Sequence, residues 1–206
     1  MPKHHTLVEI PSDLYKKFDF AKVMLPPKPL TPVALNADQY PSAVVDLDWK
    51  VGGYLENRQG MYSSELYKST RYIHLGIDIW AQPGSPVFAI ADGIILGAKD
   101  NDNHLDYGPT VIIEHIVNDI KFYAIYGHLS RTSILGLKSG QSIRKGEHLA
   151  DLGDESENGG WVPHLHFGLG VDKPDQIDMP GVCAPSDVEA YRILYPDPRF
   201  VFGPLY

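Results

Sequence analysis

Between Ser42 and Phe167 the chain is cut into short β-branched and aromatic runs, and no helical period survives a long window from residue 70 to 170. The runs are Ala43–Trp49, Gly76–Trp80, Pro86–Ala91, Asp92–Gly97, Pro109–His115 and Ile120–Tyr126. Turn-forming clusters separate them: Gln82-Pro-Gly84, Asn101-Asp-Asn103, Asn118-Asp119, Lys138-Ser-Gly140 and Lys145-Gly146. Short strands at this spacing predict a mostly β chain, an antiparallel sheet of sandwich or barrel-like form.

The flanks differ in texture. Residues 1–42 are punctuated by proline, with Pro26-Pro27-Lys28-Pro29-Leu30-Thr31-Pro32 at their centre. Such a stretch favours extended over helical backbone, so an arm laid along the surface is expected, with one short helix near Ser12–Ala21. Residues 43–170 form the β domain, and 171–206 an extension packed on it. Within that extension Ser186 and Glu189 have capping-box spacing, and Pro196 stops the helix they would open.

Bulk properties narrow the function. A net charge of -8 disfavours general nucleic-acid binding, which needs a basic face. Cys183 is the one cysteine, so neither an internal disulfide nor a thiolate metal site can form. Any metal must be held by histidine or carboxylate. The N-terminus has no apolar signal-peptide core, and no run is long enough to span a membrane. A soluble, cytoplasmic chain is the expectation, with an exported or processed form also compatible.

Four histidines and one aspartate carry the chemistry. His164 and His166 are two apart, so on a strand both project into one cleft while Leu165 and Phe167 enter the core. His74 and Asp78 are four apart. A straight strand would hold their Cα atoms ~13 Å apart at about 3.3 Å per residue, near the limit for a shared ion. Gly76 lies between them and permits a bend. His128 follows a strongly β run and by itself fits either a third ligand or a base. Three nitrogen or carboxylate ligands with spare imidazoles suit a catalytic zinc site, in which one position stays open for water.

These motifs, in this order, resemble the lysostaphin-type zinc metallopeptidases, which cut the peptide part of bacterial cell walls. The likeness rests on His74-Leu-Gly-Ile-Asp-Ile79, Gly84–Ala89, Ala91–Ile94, Val111–His115, Tyr126-Gly-His-Leu-Ser130, Gly140-Gln141 with Lys145–Glu147, and His164-Leu-His-Phe167. The resemblance covers roughly residues 70–170 and implies the family's duplicated hybrid motif fold. It implies Zn2+ held by His74, Asp78 and His166, with His128 and His164 as unligated catalytic histidines. Two departures stand out. Glu157–Pro163 replaces the shorter turn before the histidine pair and brings Trp161 near the cleft. Residues 171–206 resemble the subset found beside aminotransferase-like domains in larger proteins, so a neighbouring domain is an expected partner.

The expected activity is zinc-dependent endopeptidase cleavage of peptidoglycan-type cross-link peptides. Two alternatives are a zinc hydrolase with a cytoplasmic, non-wall substrate and a non-catalytic binding module on the same fold. His164 is assigned as the base because it shares a strand face with His166, and His128 as the oxyanion or leaving-group partner; the reverse assignment is chemically open. Trp161, Arg71 and Tyr126 are candidate substrate contacts. Tyr62, Tyr67 and Tyr72 are further aromatics for a groove rim or core. His115 and Glu114 read as structural, and His4, His5, His104 and His148 as surface residues. A last expectation is that the arm, through Asn36, covers the cleft and offers a fourth ligand.

Overall fold

In the computed structural model, which describes residues 10–61 and 70–205, the β-rich runs become strands. In chain order these are β1 (Thr31–Val33), β2 (Lys50–Gly52), β3 (Ile73–His74), β4 (Ile77–Trp80), β5 (Pro86–Phe88), β6 (Gly93–Asn101), β7 (Gly108–Val117), β8 (Ile120–Gly127), β9 (Ser142–Ile143), β10 (His148–Asp151), β11 (His164–Gly170) and β12 (Val182–Cys183). Short helices punctuate them: α1 (Leu14–Lys17), α2 (Arg131–Ile134), α3 (Val188–Leu194) and α4 (Arg199–Phe202).

Eight strands build one sheet in the order β1-β2-β4-β11-β8-β7-β6-β9. Every pairing in it is antiparallel except β1 with β2, which makes the sheet mixed at one edge. Two small ribbons, β10 with β5 and β12 with β3, flank it. The chain is thus mostly β, as its turn spacing predicts.

The sheet is covered on both faces, which explains why its strands do not alternate cleanly between apolar and polar residues. Along β7, Val111 and Ile113 join a large core with Ile77, Phe122, Leu165 and Phe167. Ile112 points the other way, into a second cluster with Ile125, Tyr107 and Met179. Ile177 and Tyr195, from beyond residue 170, pack against that second cluster. The extension is therefore part of the cover that keeps the far face dry.

Three local expectations are corrected. Ala43–Trp49 is a series of turns, and the strand starts at Lys50. Pro41 sets local pairing, since the N–H groups of Val44 and Val45 both reach its carbonyl; Leu47 and Trp49 then turn left-handed at φ 53°. The helix near Ser12–Ala21 shrinks to Leu14–Lys17. The capping box at Ser186 does not form. Its hydroxyl bonds the Asp187 carboxylate, a 3₁₀ turn occupies Pro185–Asp187, and α3 begins at Val188 without a side-chain cap.

Candidate metal centre

Strand register assembles the site. On the central strand β11, His166 lies directly opposite Asp78 of β4 on one side and Gly127 of β8 on the other. The residue after Gly127 is His128. His164 faces Trp80. His74 arrives separately, on β3, which is held in place by Val182 of β12. Between β3 and β4 the chain bends at Gly76, and this bend brings two residues four apart to one point. Glycine is needed there for a further reason: a Cβ would stand 2.5 Å from His166 Cε1 and 2.7 Å from the Phe167 carbonyl oxygen.

His74 Nε2, Asp78 Oδ1 and His166 Nδ1 form a triangle with edges of 3.2, 3.0 and 3.3 Å. Tetrahedral zinc with bonds of about 2.0–2.1 Å to nitrogen and oxygen separates its ligand atoms by about 3.3 Å. The triangle has that size without adjustment. Among the described residues, this trio is the cluster of metal-ligating groups. Its chemistry also fits. His74 Nδ1 lies 2.9 Å from the Gly53 carbonyl oxygen, which can only accept, so Nδ1 carries the hydrogen and Nε2 presents its lone pair.

Charge around the trio is set by Arg58, a buried residue. Its Nη1 donates to Asp78 Oδ2, leaving Oδ1 to face the histidines. Its Nε and Nη2 donate to Glu56 Oε2 at 3.0 and 2.9 Å. Burial pushes the Asp78 carboxyl up, but its neighbours His74, Arg58 and His164 together hold it well below the usual carboxylate range. Burial lowers His166 to about 4 against the opposing pull of Asp78. Asp78 therefore comes as an anionic carboxylate and His166 as a neutral imidazole, the states a divalent cation requires of such ligands.

The other two histidines are prepared alike. His164 Nδ1 donates to the Val162 carbonyl at 2.7 Å, and His128 Nδ1 to the Asn158 carbonyl at 2.8 Å. Each neutral ring thereby presents Nε2 as an acceptor. Their centroids are 4.2 Å apart, and His164 Nε2 is 3.8 Å from Asp78 Oδ1. Trp80 stacks on His164 with centroids 5.3 Å apart. Burial lowers both histidines, His128 further because the His164 and His166 charges oppose its protonation. His128 sits at φ 63°, a left-handed conformation uncommon outside glycine. Its N–H bonds the Tyr107 carbonyl and its own carbonyl accepts from Gly153, both at 2.9 Å, which holds the backbone there.

A cleft opens over these five side chains. Trp161 and Arg71 line it, along with Tyr40, Asp178 and Met179. Tyr126 does not. It is fully buried in the main core, where its hydroxyl accepts from the Ile90 N–H, so the expected substrate contact is corrected: the strand turns this side chain to the opposite face. Tyr72 packs at the edge of two apolar clusters, and Tyr62, Tyr67, His4 and His5 lie outside the described residues. His104 and His148 are exposed. His115 is buried with Nδ1 against the Asp92 carbonyl, and Glu114 accepts from the Tyr123 hydroxyl. From the arm, Tyr40 reaches the cleft, whereas Asn36 Oδ1 is engaged by the N–H groups of Asp38 and Gln39 in its own turn. Asn36 therefore offers no fourth ligand.

Arg58, Tyr107 and Asn158 at the site were not legible in the sequence. Arg58 stands 20 residues before Asp78, with no spacing signal to join them. The Asn158 contribution is a backbone carbonyl, which no residue type announces.

Comparison with known proteins gives a family match over about half of the chain. The sequence model of Peptidase family M23 matches residues 72–179. An "Uncharacterized metalloprotease" of Haemophilus influenzae is 30% identical over 115 residues, 54% of this chain and 22% of that protein. The "DD-carboxypeptidase/endopeptidase Mpg" of Neisseria meningitidis is 36% identical over 97 residues, 46% of this chain and 19% of that protein. The chain spans about a fifth of the length of these curated relatives (22% and 19%). The catalytic domain of the antimicrobial peptidase lysostaphin from Staphylococcus simulans is 25% identical, with 70% of this chain and 96% of that one covered and a TM-score of 0.47.

Proposed function

The chain belongs to peptidase family M23, a metallopeptidase family, and from that premise we propose that it is a zinc-dependent endopeptidase acting on peptide bonds of peptidoglycan-type cross-links. The observation that carries the metal assignment is the triangle of His74 Nε2, Asp78 Oδ1 and His166 Nδ1, whose edges of 3.0–3.3 Å match a tetrahedral zinc site. The name of the Neisseria relative, a DD-carboxypeptidase/endopeptidase, supports the cross-link substrate.

A zinc ion held by the trio would supply Lewis acidity, acidifying water and polarising the scissile carbonyl. The remaining chemistry falls to the chain. His164 Nε2, on the Asp78 side of the cleft, is placed to take the proton of the attacking water. Its Nδ1–H stays on the Val162 carbonyl throughout, which orients the ring and stabilises the cation once formed. His128 Nε2 is placed to hydrogen-bond the developing oxyanion or to protonate the departing amine. Burial keeps both rings neutral and acceptor-ready before substrate binds. Trp161 and Arg71 on the cleft wall are the proposed substrate contacts. The candidate general base is histidine, because His164 presents an acceptor Nε2 beside Asp78 while its Nδ1 is held by the Val162 carbonyl.

The test combines metal content with substrate range. Purified chain should hold one zinc and release fragments from peptidoglycan peptides. Turnover of small amides with intact wall peptides left uncut would favour the non-wall hydrolase instead. Zinc binding with no turnover on either would favour a binding module.

A further inference from the structure

Tyr107 joins the two halves of the site. Its side-chain oxygen lies 3.3 Å from His166 Nε2, and the two rings are 4.9 Å apart. Its backbone carbonyl accepts the His128 N–H at 2.9 Å. Its own N–H is tied to Asp106 Oδ1 at 2.8 Å. One residue thus touches the far nitrogen of a ligand histidine and anchors the backbone of a catalytic histidine.

The ring sits in a slot made by missing side chains. A Cβ on Gly127 would stand 2.7 Å from Tyr107 Cδ1, and a Cβ on Gly181 would overlap the hydroxyl itself. Gly127 ends β8, next to His128; Gly181 precedes β12, which carries the strand holding His74. Glycine at both places lets the phenol reach His166.

Chemistry fixes the sense of the contact. His166 faces Asp78 Oδ1 and His74 Nε2 through Nδ1. For Nδ1 to give its lone pair to a cation, the ring hydrogen must reside on Nε2. That hydrogen points at the Tyr107 oxygen, which accepts it.

We propose that Tyr107 is a positioning residue of the metal centre: its hydroxyl oxygen accepts the His166 Nε2–H, selects the ring tautomer that ligates, and fixes the ring plane, while its carbonyl holds His128. The proposal rests on the metal-centre reading above. An accepting partner on the outer nitrogen raises the donor strength of the ligating one, and such partners are worth about 10–100-fold in metal affinity.

The experiment measures zinc affinity of metal-free chain by competition with a chelating dye, alongside the visible spectrum of the cobalt-loaded chain. Tyr107→Phe keeps the ring and removes the oxygen. It should weaken zinc by about 10–100-fold and shift the cobalt d–d bands. Gly181→Ala, which crowds the hydroxyl from the other side, should weaken zinc in the same direction with Tyr107 intact. Should Tyr107→Phe fail to fold, Gly181→Ala decides alone. Wild-type zinc affinity and an unchanged cobalt spectrum in the decisive variant overturn the role of Tyr107 and leave the metal centre standing. A wild-type chain that binds no zinc overturns both.

Discussion

Arg58 grips one oxygen of Asp78 and leaves the other to His74 and His166. The guanidinium and carboxylate are both buried, so this pair decides the charge of the site before any metal arrives. Removing one member of a buried pair leaves the other uncompensated, at a cost of about 3–5 kcal/mol.

Arg58→Ala should therefore destabilise the metal-free chain by about 3 kcal/mol or more. Zinc, binding only the folded state, should recover part of that loss because it supplies the missing positive charge. Denaturant titrations with and without zinc check this. Equal losses in both conditions would show that Arg58 acts by packing alone.

Four of the polar residues should divide into two groups on mutation. His128→Ala and His164→Ala are expected to lower turnover by about 10²–10⁴-fold with zinc still bound. Asp78→Ala and His166→Ala should lose the zinc itself. Metal analysis beside peptide-cleavage assays separates the groups, and an empty site in His128→Ala would overturn the ligand assignment.

Gly76→Ala tests the bend. The new Cβ would press on the His166 ring and on the Phe167 carbonyl, and backbone cannot yield cheaply. Overpacking of this kind costs about 1–3 kcal/mol, and the displaced ring should bind zinc less tightly. A variant with native melting temperature and native zinc affinity would show that β3 and β4 can separate freely.

His115 should make stability depend on pH. Burial lowers it to about 4, and its Nε2 has no hydrogen-bond partner among the described residues. The folded state favours the neutral ring, so its contribution is complete above the unfolded pKa of about 6.5. It is lost as pH falls from about 6.5 to about 4, amounting to about 3 kcal/mol. His115→Phe should show a shallower decline over that window in chemical denaturation. Parallel curves for the two proteins would assign the acid sensitivity elsewhere.

How much of this was readable in advance varies by residue. The pair His164 and His166 was legible because strand period alone puts both on one face, and Leu165 and Phe167 are indeed buried in the main core. The bend between His74 and Asp78 was legible because a straight strand would stretch the pair to near the limit for a shared ion. Tyr126 was misplaced, since its neighbours in sequence reach the site while its own side chain points to the other face of β8. The run 43–49 has strand composition, yet Pro41 and local turn pairing prevail over it.

Sequence alone determined what depends on neighbours along the chain. That includes the β texture, the exclusion of an internal disulfide or a thiolate metal site by a single cysteine, and the residue types able to hold a metal. Tertiary structure decided what depends on partners far apart in the chain. Cross-strand register set Asp78 against His166, Arg58 chose which carboxylate oxygen stays free, and backbone carbonyls of Gly53, Asn158 and Val162 chose the histidine tautomers. A carbonyl's position is a property of the folded backbone and not of the residue that bears it, so no motif could have announced those contacts.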